Sequence, residues 1–268
     1  MQYRVAVAVV WTHFVLTALE AAPLKIRRAT EHFHLVENVI GQYIATKPYK
    51  VITEPNGDET VHILKEPPSD IAIIAGEIIY QLRSTLDYLA FDLVKLNPLG
   101  ITLPRDWEDN CCFPLWLNPP KKTPVYNCFK GRLPGITKAA FAFVERLQPY
   151  HRKGAAEIMG LIANLSNIDK HRHLNVTIPN LITAEVLTHT RGTISIRRSG
   201  LKHGAKIEPR VMQQPYPTVN VERTSSVYVV FDEPTVGKSA HLAVEDILKL
   251  CIEEIENDII PAFAHFLK

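Results

Sequence analysis

No glycine-rich phosphate loop occurs anywhere in this 268-residue chain. Its absence removes support for the nucleotide folds that cradle phosphates on a loop before a helix. There is no H-E-x-x-H and no cysteine–histidine spacing of the zinc type, so neither common class of zinc site has a signature here. The four cysteines, Cys111, Cys112, Cys128 and Cys251, form no C-x-x-C pair. Adjacent Cys111 and Cys112 are poorly placed to bridge, because neighbouring side chains diverge. Such usage predicts reduced thiols in a cytoplasmic protein rather than a secreted disulfide framework. Charge of one sign is also scarce: the net charge is +2, too small to argue for nucleic acid by itself. No apolar run is long enough for a membrane span. The longest, Val5 to Leu19, is interrupted by His13, is followed by Glu20 and leads to no clean A-x-A site. Residues 1–22 therefore read as an N-terminal extension or a buried helix, and no membrane partner is expected.

What is present is ordinary globular composition, 46% hydrophobic and 22% charged, in a chain long enough to bury a full core without staples. Pro23 is expected to separate the first apolar segment from a helix over 24–45. KVITEPNGDETVHIL predicts a β-hairpin at 50–65 turning at Pro55-Asn56-Gly57-Asp58. A long helix follows from Ile71 to Leu96, capped by Ser69 or Asp70 and closed by Asn97-Pro98-Leu99-Gly100. Residues 99–134 carry six prolines and read as an extended connector, pinned to the core by Cys112-Phe113-Pro114-Leu115-Trp116. Helices return at 137–147 and 155–172. Between 176 and 231 the pattern changes to period two, with ITAEVL, TISIRR, TVNVER and SVYVVF as strands. A last helix over 239–267 is expected to kink at Pro261. The fold class is α+β in a single domain: a helical core of 24–172 and 239–267 beside a small antiparallel sheet at 176–231.

The most informative stretch is NIDKHRHLN at 167–175, where five ionisable residues in a row end an apolar helix. At 100° per residue, Ile158, Leu161, Ile162 and Leu165 form one stripe. One more turn brings that stripe to Asp169 and Arg172, with Lys170 and His171 pointing elsewhere and His173 at the edge. Core-facing charges need partners. The 71–96 helix offers Arg83 and Asp87, spaced to pair within their own helix. If the two helices pack together, Arg83, Asp87, Asp169 and Arg172 form a four-member network with His171 or His173 at its rim.

The pairing of Leu82-Arg83-Ser84-Thr85-Leu86-Asp87 with Asn167-Ile168-Asp169-Lys170-His171-Arg172 resembles a widespread group of uncharacterised bacterial and phage-associated proteins. The resemblance runs from Ala72 to the last helix. That group is in turn similar to the HEPN class, helical bundles many of which are metal-independent ribonucleases. The resemblance implies a possible RNA substrate and a possible homodimer. HEPN sites place an Arg four to six residues before a His. Here His171 precedes Arg172, and the expected order occurs instead at Arg27/His32 and Arg146/His151. The sheet at 176–231 is foreign to a compact helical bundle.

Two functional classes remain open on these residues. In the first, an RNA-directed effector, His171 removes a 2′-OH proton, Arg172 stabilises the charged phosphorane and Asp169 orients the base. Arg83, Asp87, Lys170 and His173 then bind or position the RNA. In the second, a noncatalytic binding or scaffold module, the same charges are a structural ion-pair network and the histidines favour the negative end of the helix. Whether the chain is an enzyme is thus undecided at this level. A metal would need Asp169 and His173, at i,i+4, with a remote third ligand such as His151 or His189. No cofactor or metal is expected.

Overall fold

The computed structural model describes residues 16–53, 59–121, 124–151, 153–172, 174–177, 181–189, 194–201, 206–207, 219–233 and 242–268. The expected segment 5–19, the hairpin turn at 54–58, His173 and the start of the last helix at 239 fall wholly or partly outside them.

Two 28-residue helices make the centre of the core. Helix α1 (Ala18–Ala45) buries Ala18, Ala22, Ile26, Ala29, Phe33, Val36, Ile40 and Tyr43, a three-and-four spacing that keeps one face toward its neighbour. Helix α2 (Ser69–Leu96) buries Ile71, Ile78, Leu82, Leu86, Leu89 and Leu93 against it. The start of α1 overturns the expected break at Pro23, which lies inside the helix. Thr17 and Glu20 form a capping box that sets the first turn before the proline. Asp92 of α2 accepts from the Ala18 backbone N–H and ties that early turn to the core. Neither Ser69 nor Asp70 caps α2; Pro68 holds the cap position and both polar residues lie in the first turn. Asn97, left-handed at φ 42°, closes α2 as expected.

The proline-rich connector contains two helices that the proline count argued against: α3 (Trp107–Asn110) and α4 (Val125–Arg132). Proline breaks helix interiors but is tolerated at their starts, and Pro124 sits at the cap of α4. The apolar cluster does pin this connector. Phe113 is fully buried, and Trp116 meets Phe129 of α4 edge-on at 4.9 Å. Helix α5 (Lys138–Arg146) is capped by the Thr137 hydroxyl, and α6 (Ala155–His171) follows a 3-10 turn at Pro149–His151.

The hairpin β1 (Tyr49–Thr53) and β2 (Glu59–Ile63) pairs Val51 with Val61 and Tyr49 with Ile63. The β-rich segment forms β3 (Val176–Thr177), β4 (Leu181–His189), β5 (Ile194–Leu201), β6 (Lys206–Ile207), β7 (Val219–Val227) and β8 (Val230–Phe231). All pairings are antiparallel, with β4 between β5 and β7, β6 added to β2, and β3 on β8. The turn residues Ser199-Gly200 and Ser225-Ser226, which read in sequence as joints between strands, instead lie within β5 and β7, where all four stay in register with β4. This is the α+β helical architecture with small antiparallel sheets that the period change predicts.

The C-terminal helix α7 (Val244–Glu254) passes through a π turn at Ile255–Ile259 into α8 (Ile260–Ala264). The wide turn directly precedes Pro261, whose missing N–H and ring cannot fit regular α spacing. Glu245 in the first turn of α7 has a carboxyl oxygen buried without a hydrogen-bond partner. Burial, with Asp246 and Glu37 nearby, holds its pKa above the usual 4.5. The folded state therefore keeps this proton at pH values where the unfolded chain has lost it. That stability is present below about 4.5 and is lost as pH rises through the folded value. Glu245→Gln is expected to raise stability at pH 7 by about 1 kcal/mol, with little effect at pH 4, measured by urea unfolding at both pH values.

Candidate functional site

The two motifs come close to each other, but not as one network. On α2, Arg83 donates from Nε and Nη2 to the two carboxylate oxygens of Asp87, at 3.2 and 2.8 Å. Nη2 also donates to the Phe113 carbonyl at 2.6 Å, and Asp87 accepts from the Phe113 backbone N–H at 2.9 Å. The i,i+4 pair thus closes on both polar groups of one buried connector residue. Gln148, buried between α5 and the 3-10 turn, fixes the same connector. Its amide donates to the Pro114 and Val144 carbonyls, and its oxygen accepts from the Trp116 N–H.

The partners predicted on α6 go elsewhere. Arg172 pairs with Glu233 after β8, donating at 2.7 and 3.4 Å. Glu233 also accepts from the Asn175 N–H at 3.0 Å, and its side chain is 0% exposed. Arg172 and Asp169 are exposed rather than core-facing; for Arg172 the cause is that the helix ends at His171 and Arg172 leaves it in extended conformation. Asp169 does reach α2, but at Gly76, two turns before Arg83. A methyl group there would come within 2.9 Å of the Asp169 Cγ, so only glycine leaves room for this carboxylate. Arg172 with Glu233, and Arg83 with Asp87, are therefore two separate devices, and His171 is exposed at the helix end. His173 lies outside the described residues.

One turn of helix separates two cavities. The first, about 160 Å³, is lined by Arg83, Arg132 of α4, and Ser166, Asn167 and Lys170 of α6, with Cys112 from the connector. Among the described residues, no carboxylate lines it. Arg132 holds its place with a bond from Nη1 to the Asn110 carbonyl at 3.3 Å. Burial, with Cys112 and Asp87 nearby, pushes the neighbouring Cys111 thiol up to about 12, so it stays protonated and adds no negative charge. Three cations, an amide and a hydroxyl thus converge where the motifs meet. Arg132 had no signal in the sequence, because only the fold brings α4 to this place.

The second cavity is an open cleft lined by Arg28, His32, Gly76, Glu77, Tyr80 and Asp169. His32 is largely buried; its Nδ1 is 2.9 Å from Glu77 Oε2 but off the hydrogen-bond line, and is left unsatisfied. Arg28 is bonded to Glu31. The approach of α2 and α6 to α1 makes this face of the helix a cleft. Asp169 and Lys170, one residue apart, fall to different cavities because consecutive helix residues diverge by 100°.

Among the described residues, no group of three or more His, Cys, Asp or Glu is arranged to hold a metal ion. His151, weighed as a remote ligand, is bonded to Glu145 at 2.9 Å. No helix among them is long and apolar enough to cross a membrane. No protein-family model, curated protein or solved structure matches this chain.

Because His171 is exposed, with no tertiary packing to lose, His171→Ala is expected to change stability by less than about 0.5 kcal/mol, read from the melting temperature.

Proposed function

We propose that this protein binds RNA, holding a phosphate in the cavity of Arg83, Arg132 and Lys170, and that the other charged residues at the end of α6, Asp169, His171 and Arg172, are structural rather than catalytic. The observation that carries this reading is the convergence of three cations from three elements on one cavity that, among the described residues, no carboxylate lines. Arg83 is the fixed member. Its bidentate bond to Asp87 and its bond to Phe113 hold the guanidinium plane, so little freedom is lost when an anion arrives. Lys170 and Arg132 are exposed and supply charge that can follow the ligand. Among the described residues no histidine lines this cavity, and those that do offer phosphate recognition without a general base.

Neutralising two to three phosphate charges on a single strand gives a slope of about −1.4 to −2.1 in log K against log salt. Affinity for a single-stranded oligoribonucleotide is therefore expected to fall roughly 7- to 20-fold between 50 and 200 mM salt. Fluorescence anisotropy across that range tests it. Binding that ignores salt, or no binding at low salt, defeats the reading.

A ribonuclease reading is favoured by a different observation, the cleft of Arg28, His32 and Glu77. His32 supplies the base, with the Glu77 carboxylate 2.9 Å from its Nδ1, and Arg28 lies one helical turn before it to meet developing charge. On this reading, RNA cleavage in excess chelator is abolished by His32→Ala and kept by His171→Ala. Cleavage that depends on His171 instead restores the charged turn as the site.

A further inference from the structure

The geometry points to a terminal phosphate, a phosphomonoester at an RNA end, as the group that the Arg83–Arg132–Lys170 cavity selects; this rests on the RNA-binding reading above. Size comes first. The cavity is about 160 Å³, close to the roughly 150 Å³ of an engineered protein cavity that takes one benzene-sized molecule. It has room for one phosphate and a few waters, and the sugar and base of a nucleotide would lie outside its mouth. A phosphodiester inside a strand carries a sugar on both sides, and both would have to turn out of a recess this small. A terminal phosphate enters end-on, with only one substituent at the mouth.

Charge points the same way. A phosphomonoester carries about −1.5 to −2 near neutrality, against −1 for a diester. Three lining cations, one of them shared with Asp87, match the monoester more closely than the diester. Donors match as well. Arg83, whose Nε and Nη2 are taken by Asp87 and Phe113, has Nη1 left to donate, the Arg132 guanidinium can span two phosphate oxygens, and Lys170 acts as a point charge. The Asn167 amide and the buried Ser166 hydroxyl can donate to a third oxygen.

The experiment compares one short oligoribonucleotide in three forms, bearing a 5′-phosphate, a 3′-phosphate or hydroxyls at both ends. Ribose 5-phosphate and inorganic phosphate serve as free competitors. One phosphorylated end is expected to bind at least tenfold tighter than the hydroxyl-ended strand. That gap is expected to shrink to less than threefold in Lys170→Ala and in Arg132→Ala, both surface substitutions that leave the melting temperature in place. If the hydroxyl-ended strand binds equally well and still depends on Lys170, the end preference is wrong while RNA binding stands. If ribose 5-phosphate binds as tightly as the phosphorylated strand, the ligand is a small monoester and not an RNA end. If none of the strands binds, both the end preference and the RNA reading fall.

Discussion

Arg172→Ala is expected to lower stability by about 3 kcal/mol, the cost of leaving a buried carboxylate without its cation. For a chain of this size that is a fall of roughly 6–12 °C in melting temperature. Glu233 is the reason. Its side chain is fully buried, and apart from Arg172 it is bonded to the Asn175 N–H. Half of the arginine is in water, so removing it costs little packing. The loss is electrostatic and falls on its partner. Arg172→Ala with Glu233→Gln is therefore expected to recover part of the loss, since a neutral amide tolerates burial better than an unpaired carboxylate and can still accept from Asn175. Equal stability of Arg172→Ala and wild type, by urea denaturation, would show that the pair holds nothing. The turn at 169–172 is then explained in part: one of its charges fastens the end of α6 to the segment after β8.

Arg83→Gln is expected to cost about 2–4 kcal/mol and RNA affinity together. The substitution leaves the Phe113 carbonyl without its charged donor and Asp87 without its cation. Both losses loosen the connector at Phe113, the residue that carries the wall of the phosphate cavity. Arg83→Lys separates the two roles. It keeps the positive charge but cannot bridge Asp87 and Phe113 at once. Most of the stability loss should therefore persist, while affinity measured below the unfolding temperature recovers in part. Full stability in Arg83→Lys would mean that charge, not the fork, holds the connector.

Much of the fold was legible because it rests on local periodicity. The long helix α2, the presence of the 49–63 hairpin and the switch to antiparallel strands after residue 176 follow from side-chain spacing and turn residues alone. The misses are positional and have physical causes. Pro23 does not start a helix because the Thr17–Glu20 box starts it earlier. The connector's prolines lie outside the interiors of α3 and α4, with Pro124 at the cap of α4, so both short helices form between them. The Arg83–Asp87 pair was visible because both members are on one helix. The choice of Glu233 for Arg172 was not, since it depends on a partner 61 residues away. The same limit hid Arg132 and the Glu77–His32 approach. Helical phase indicated that Lys170 diverges from Asp169, but not that each would enter a different cavity.

The most direct measurement compares two adjacent residues. Affinity for a phosphorylated oligoribonucleotide is measured for wild type, Lys170→Ala and His171→Ala, all at equal melting temperature. Lys170 lines the phosphate cavity and His171 is exposed at the helix end. A loss of tenfold or more for Lys170→Ala, about 1.4 kcal/mol, with His171→Ala within twofold of wild type, is the predicted result. Loss at His171 with Lys170→Ala unchanged would contradict it, and would return function to the charged turn itself.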